Sequence, residues 1–406
     1  MKQSYELDLS ALAYPMMKSS RAQSVFRFSA QLTNPVDPTL LAESLTDVLA
    51  YYPALKTRVA PSFFWHKLKP NDAPLLVKED DRQPLTPFRK EDTHDYPFRL
   101  AYRGEEIVIE FFHAATDGNV GVLFLCDLLT RYAERKEGLA PHGIDRALCV
   151  QDGFLSYARK KSLFKVSLKK YNGKAAFALG SKDNYLPSPV LLSHGIPVAE
   201  LKSAAKSYGA TLTEYVVACY VAALLEGATL PLDKPVAIFL PIDLRRFFPS
   251  KTMQNFVCFE RIVLEKGESD TSFPHLIAIV REEFAQKITK ERMQEHVDDV
   301  ASCFTFPPVN YLPLFVKQPL FKLGKLLSNK VRQTSILTNV GEIPLPSDVT
   351  PFVKSVKFFS NVNRNAPLNV GLVSCGDVCA VSVTCLLKET PLPERFFALL
   401  HSQGKK

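Results

Sequence analysis

The sequence of 406 residues contains no long uninterrupted apolar segment. A helix that crosses a bilayer needs ~18 or more predominantly apolar residues, and the longest candidate, Tyr215 to Leu225, has only the length of a buried helix. The first residues, Met-Lys-Gln-Ser-Tyr-Glu, are polar at once and lack the apolar core of a signal peptide. We therefore expect a cytoplasmic protein without a membrane span.

Cysteine is also sparse. Eight cysteines in 406 residues are too few for a disulfide framework. The closest pair, Cys375 and Cys379, does not have the spacing of a CxxC metal clip. Cys379 and Cys385 lie in a segment that alternates apolar and polar residues, where cysteine acts as a small apolar side chain. We expect reduced structural thiols and no metal site.

Basic residues only slightly outnumber acidic residues. The 50 basic and 42 acidic residues give a net charge of +8. This balance suits a phosphorylated or acidic partner, but the chain lacks the dense basic stripe that nucleic-acid binding needs. The GxSxG elbow of serine hydrolases is absent as well. We therefore expect neither a nucleic-acid partner nor a serine triad.

The pattern of the chain predicts an α/β protein in two comparable halves. Strand-like and helix-like segments alternate in residues 1–140 and again in residues 190–406. Residues 141–189 carry turn residues and scattered charges, which favours a crossover between the halves. A chain of this length and apolar content buries an ample core.

One segment, Phe111-Phe112-His113-Ala114-Ala115-Thr116-Asp117-Gly118, concentrates residues that can do chemistry. A predicted strand ends at His113, and Gly118 opens the next predicted helix. An imidazole at a strand end can accept a proton near neutral pH from an alcohol, thiol or amine. The alternative reading is a core histidine at a strand end, with Asp117 as the N-cap of the helix.

Two later segments add polar groups at strand ends. In Pro241-Ile242-Asp243-Leu244-Arg245-Arg246, an arginine fork could hold a carboxylate such as Asp117 in its charged form. The segment Thr338-Asn339-Val340-Gly341 could present a polar side chain toward a central cavity. Each segment could equally be an ordinary solvated strand end or turn.

Taken together and in this order, the segments FHAATDG, PIDLRR and TNVG resemble the CoA-dependent acyltransferase superfamily. They are separated by about 130 and 95 residues. The superfamily includes chloramphenicol acetyltransferase, alcohol acetyltransferases, polyketide-lipid acyltransferases, plant BAHD acyltransferases and the condensation domains of peptide synthetases. The helix TLTEYVVACYVAALL from Thr211 is similar to a segment of alcohol acetyltransferases. The resemblance covers nearly the whole chain.

The resemblance implies two chloramphenicol acetyltransferase-like αβ sandwich domains with a tunnel along their interface. His113 would be the general base inside it, Asp117 and the motif turn at Gly118 would be structural, and Arg245 would form an ion pair with Asp117. Asn339 and Thr338 are candidates for a tunnel wall or an oxyanion donor. Phe112 stands where condensation domains have a first histidine, which favours a stand-alone acyltransferase. The DFGWG motif of plant members is absent.

The implied reaction moves an acetyl or longer acyl group from a CoA or carrier-protein thioester to an alcohol or amine. The thioester would be a cosubstrate, and no cofactor would be bound permanently. Arg159, Lys160, Lys161, Lys165, Lys169 and Lys170 form the densest basic cluster. They either attract the phosphates of this donor or form a solvated linker. The alternative function is a catalytically degenerate binding module with the same fold.

Overall fold

In a computed structural model, the strands and helices of the chain follow one another in an α/β arrangement. The structure describes residues 3–19, 23–159, 175–180, 183–227, 232–327 and 333–402. Within these ranges the helices are α1 Ala13–Met17, α2 Pro38–Leu49, α3 Lys90–Thr93, α4 Gly118–Glu137, α5 Gly153–Tyr157, α6 Val198–Ser207, α7 Leu212–Leu225, α8 Phe273–Lys287, α9 Lys290–Thr305, α10 Pro307–Asn310, α11 Leu314–Leu327 and α12 Leu392–Ser402. The strands are β1 Tyr5–Glu6, β2 Val25–Leu32, β3 Thr57–Pro61, β4 His66–Pro70, β5 Val77–Glu79, β6 Phe98–Arg103, β7 Glu106–Phe112, β8 Tyr185–Pro197, β9 Val236–Asp243, β10 Val257–Leu264, β11 Ser335–Glu342, β12 Val353–Phe359, β13 Leu368–Cys375 and β14 Val378–Leu387.

These strands form three sheets. Five strands are arranged in the order β12-β2-β7-β6-β5, and six in the order β10-β9-β11-β13-β14-β8. A small sheet has the order β1-β4-β3. Strand β12 comes from residues 190–406 by sequence, yet it pairs antiparallel with β2, from Val353 opposite Leu32 to Phe359 opposite Arg27. The two predicted halves therefore share a sheet, and one apolar core cluster draws residues from both.

A buried ion network sets the register of the strand that leads to His113. Arg27 on β2 contacts Glu110 on β7 at 3.3 Å and Asp80 at 2.7 Å. Arg99 on β6 contacts the same two carboxylates at 3.0 and 2.8 Å. A one-residue slip of β7 would break these pairs and turn its apolar side chains to the other face. The network thus holds the end of β7 in place.

Most elements expected from periodicity are present, and local signals explain their ends. Asp37 caps α2, and Thr211 caps α7 through the capping box with Glu214. The amphipathic pattern from Phe273 to Arg292 predicts one helix, and this prediction is wrong at its end: α8 stops at Lys287, and Thr289 caps the separate helix α9. A threonine that caps within an amphipathic pattern ends one helix and starts another without a proline or glycine.

Membrane-spanning length is not reached by any single helix in the part of the chain that the structure describes. Helices α6 and α7 meet the length and composition criteria only as a pair, and they are bent by 79° relative to each other.

Candidate active site

His113 lies directly after β7, at the point where the strand leaves the sheet. Its backbone N–H donates to the carbonyl of Ser24 at 2.8 Å, which keeps the residue beside the start of β2. The ring stacks on Tyr14, with ring centroids 4.9 Å apart, and meets the Phe26 ring edge-on at 5.1 Å. The residue is half-buried. Two aromatic rings therefore restrict how the imidazole can turn.

Asp117 is wholly buried and caps α4. One carboxylate oxygen accepts from the backbone N–H of Val120 at 3.1 Å. The other accepts from Arg245 Nη1 at 2.8 Å and from the backbone N–H of Phe256 at 3.0 Å. Because both oxygens are occupied by these donors, the carboxylate holds the chain rather than the imidazole.

Arg245 follows β9 and extends this contact into a clamp. Its Nη1 also donates to Asp243 at 2.9 Å. Its Nη2 donates to the backbone carbonyls of Thr252 and Gln254 at 2.9 and 2.8 Å. One guanidinium thus fixes Asp117 and the loop that precedes β10 at the same time.

Asn255, at the end of that loop, contacts the imidazole directly. Its side-chain oxygen lies 2.7 Å from Nδ1 of His113. Its amide nitrogen donates to the backbone carbonyl of His113 and to Asp8, each at 3.0 Å. Since both of these partners accept hydrogen bonds, the amide nitrogen must face them and the amide oxygen must face the ring. Nδ1 therefore carries the proton, and Nε2 is left with its lone pair.

Asp8 sets the orientation of this amide from a third part of the chain. It is wholly buried, and one carboxylate oxygen accepts from both the backbone and side-chain N–H of Asn255. The other accepts from Ser10 and from the backbone of Ala11. Burial raises the pKa of Asp8 to about 7, and the hydrogen bonds from Ser10 and Asn255 oppose that rise.

The imidazole itself is kept neutral. Burial lowers the pKa of His113 below its usual value of about 6.5, although the hydrogen bond to Asn255 and the charge of Asp117 act in the opposite direction. Among the residues that the structure describes, no hydrogen bond occupies Nε2. At neutral pH this nitrogen is a base with a free lone pair.

The third motif is near the helix start but not at the ring. Val340 Cγ1 lies 3.1 Å from the position that a Cβ on Gly118 would occupy, so the glycine allows β11 to pack closely against α4. Asn339 is exposed and donates to the hydroxyl of Thr213 at 2.9 Å, and it accepts from the backbone of Gly341. The contacts of Asn339 and those of the His113 ring thus involve different residues.

The predicted tunnel and the predicted basic cluster are not tested by the described residues. Two surface pockets are lined by residues other than His113, one between α4 and the end of β2 and one around Cys126 and Arg146. The tunnel past His113 stays a prediction. In the basic cluster only Arg159 belongs to the described residues, and its backbone N–H donates to Asp298 at 2.7 Å. The five lysines of the cluster lie outside them.

Thiols and acidic groups give no sign of a metal centre in the described part of the chain. All eight cysteines are free, and six of them are buried. No group of three or more His, Cys, Asp or Glu side chains among the described residues is placed to hold an ion.

Sequence reasoning alone missed three members of the site. Asn255 lies nine residues after Arg246. Its only signal in the sequence is the polar pair Gln254-Asn255 ahead of a strand-like segment. Asp8 and Tyr14 belong to the N-terminal segment, where no motif marks them. Tyr14 stacks on His113 across 99 residues of sequence, and Asp8 contacts Asn255 across 247 residues.

The chain is similar to known proteins in structure but not detectably in sequence. No family model and no curated protein matches the chain. The trichothecene 15-O-acetyltransferase of Fusarium sporotrichioides aligns with a TM-score of 0.68 at 12% identity, over 98% of this chain and 93% of that one. Polyketide synthase associated protein 5 of Mycobacterium tuberculosis aligns with a TM-score of 0.65 at 13% identity, over 100% and 98%.

A condensation domain aligns equally well. The first condensation domain of the calcium-dependent antibiotic synthetase has a TM-score of 0.66 at 16% identity, over 99% of this chain and 96% of that domain. The chain therefore has the chloramphenicol acetyltransferase-like fold that condensation domains and acyltransferases share, and the fold predicted from the sequence is confirmed. Identities this low carry the fold alone.

We predict that Arg245→Met lowers the free energy of unfolding by about 3–5 kcal/mol, because it leaves the buried carboxylate of Asp117 without its cation. Arg246 is the next residue and is exposed, so Arg246→Met is the matched control and should leave stability nearly unchanged. Denaturant unfolding of both variants measures the difference. Equal stability of the two variants would contradict a structural role for the clamp.

Proposed function

We propose that the chain is an acyltransferase. It would move an acetyl or longer acyl group from a CoA or carrier-protein thioester to an alcohol or amine, with His113 as general base. The observation that carries this proposal is the hydrogen bond from His113 Nδ1 to Asn255, which leaves Nε2 unprotonated in a half-buried ring. The shared fold of acetyltransferases and condensation domains supports it.

The proposed chemistry needs only one base. Nε2 takes the proton from the acceptor hydroxyl or amine while its oxygen or nitrogen attacks the thioester carbonyl carbon. The tetrahedral intermediate collapses, the C–S bond breaks, and the imidazolium returns the proton to the leaving thiolate. The thioester is already activated, so proton transfer and the positioning of both reactants account for the catalysis. A passage that reaches His113 from both sides would hold the two substrates.

Asn255 and Asp8 act as positioning residues in this mechanism. Asn255 accepts a hydrogen bond from Nδ1–H and thereby selects the tautomer, and Asp8 prevents the amide from turning over. Asp117 and Arg245 hold the loop that carries Asn255. Catalysis would thus require three segments to meet around one ring.

Replacing His113 by alanine should reduce thioester-dependent transfer by about 10²- to 10⁴-fold, the usual contribution of an aligned base. The measurement is release of free thiol from acetyl-CoA across a panel of alcohols and amines, with products identified by mass spectrometry. The half-exposed His275 supplies the control His275→Ala. Undiminished transfer by His113→Ala would refute the assignment. Binding of acetyl-CoA by the unaltered protein without turnover of any acceptor would instead favour the degenerate binding module.

The value of kcat/KM should decrease as the pH is lowered, with a midpoint below about 6.5. Burial lowers the pKa of His113, so its unprotonated form persists to more acidic pH and is lost only as the pH falls through that lowered value. Asp8 titrates nearby, but its protonation leaves an oxygen free to accept from Asn255. Asp8→Asn should therefore leave the midpoint in place. A midpoint above 6.5, or one that disappears in Asp8→Asn, would argue against His113 as the base.

Asn255→Ala should lower kcat by about 10- to 100-fold with little change in KM, by analogy with other partners that orient an imidazole. The hydrogen bond that His113 Nδ1 donates to the Asn255 side-chain oxygen raises the pKa of His113, so its loss should also move the acid midpoint to lower pH. A purely structural role would not shift that midpoint. Asn184→Ala, which removes an amide that contacts Glu389, is the control. An unchanged kcat and midpoint in Asn255→Ala would exclude the positioning role.

A further inference from the structure

The most exposed apolar side chains cluster in two segments that are distant in sequence. In the described part of the chain, every large apolar residue that is more than half exposed belongs to the β3–β4 turn or to residues 311–323. They are Phe63 (66% exposed), Tyr311 (66%), Phe315 (74%), Leu320 (52%) and Leu323 (51%), with Phe64 (39%) beside them. We call these six residues the aromatic surface. Several exposed large apolar side chains brought together in this way indicate an interaction site.

Contacts between the two segments hold the aromatic surface together. The Phe63 and Phe64 rings meet edge-on at 4.8 Å, and Phe64 meets Tyr311 at 6.1 Å. The backbone N–H of Leu314 donates to the carbonyl of Phe63 at 2.8 Å. The β3–β4 turn is therefore attached to the start of α11.

The buried side chain of Lys317 strengthens the attachment between the turn and α11. Its side chain is 2% exposed, and its ammonium donates to the carbonyls of Phe64 and Asn310, both at 2.9 Å. It also lies 3.3 Å from the centre of the Trp65 ring. Helix α11 thus buries a lysine while Phe315, Leu320 and Leu323 face solvent. A surface helix usually directs its apolar residues to the core, and α11 buries Leu314 in that way but leaves these three apolar residues exposed.

The charged residues in the two segments of the aromatic surface are basic. Residues 300–323 contain Lys317 and Lys322 and no acidic residue, and residues 48–71 contain four basic residues and no acidic residue. Lys56, Arg58 and Lys322 are exposed, whereas Lys67 and Lys69 are half-buried and Lys67 forms an ion pair with Glu6 on β1. An apolar patch with a cationic border matches an anionic lipid surface, where apolar side chains enter the acyl boundary and lysines remain at the head groups.

We propose that the aromatic surface docks the protein on an anionic lipid bilayer. Phe63 and Phe64 at the tip of the hairpin, together with Phe315, Leu320 and Leu323 on α11, enter the interface. Lys322, Lys56 and Arg58 face the lipid phosphates and carboxylates. This docking depends on neither His113 nor acyl transfer.

Vesicle co-sedimentation tests the proposal with the full chain. The unaltered protein should bind vesicles of phosphatidylcholine mixed with phosphatidylserine more tightly than vesicles of phosphatidylcholine alone, and added salt should weaken the binding. The double variant Phe63→Ser/Phe315→Ser should lose about tenfold or more in affinity through the lost apolar contact. Lys322→Gln should lose about fivefold, the contribution of one basic residue at such a surface.

Matched control variants distinguish binding through this surface from nonspecific binding to vesicles. Phe259 on β10 is 42% exposed and Lys388 follows β14 in an exposed position, so Phe259→Ser and Lys388→Gln should bind vesicles like the unaltered protein. Circular dichroism melting shows that each variant is folded. Failure of the unaltered protein to bind the anionic vesicles overturns the proposal, as does equal binding by the double variant. Dimerisation that requires Phe63 and Phe315, without vesicle binding, assigns the surface to a second copy and also overturns it.

Discussion

The buried ion pair between Asp117 and Arg245 is the constraint on which the rest of the site depends. A wholly buried carboxylate is costly unless donors fill its oxygens, and here the donors come from the N-terminus of α4, from Arg245 after β9 and from Phe256 before β10. The same guanidinium also binds the backbone of residues 252 and 254. The cost of leaving Asp117 unpaired therefore forces the loop with Asn255 against the strand end with His113.

In this arrangement, the residue that stabilises the scaffold differs from the residue that orients the imidazole. Asp117 is in the motif with the histidine but contacts the scaffold, whereas Asn255 is outside the motif and contacts the ring. In the proposed mechanism the imidazole uses Nδ1 for orientation and Nε2 for proton transfer, as a base with a defined tautomer requires. Apolar neighbours Tyr14 and Phe26 contribute by restricting the ring and lowering its access to water.

The fold shows how little sequence identity this architecture needs. Solved proteins at 12–16% identity align over nearly the whole chain. What they share with this chain is the arrangement of its strands and helices. Exposed features such as the aromatic surface are free of that packing constraint, so they can differ between proteins with one fold and carry functions of their own.

By itself the sequence determined the α/β class, most strands and helices, and the motif residues His113, Asp117 and Arg245. Periodicity and capping are local properties, and a strand end followed by a glycine is readable from neighbouring residues. Only the tertiary structure decided that Asn255 and Asp8 orient the imidazole, that Asn339 contacts Thr213, and that Phe63 lies beside Leu314. These contacts join residues far apart in the chain, and their formation depends on how buried polar groups find partners when the core packs. No local pattern of residue types encodes that choice.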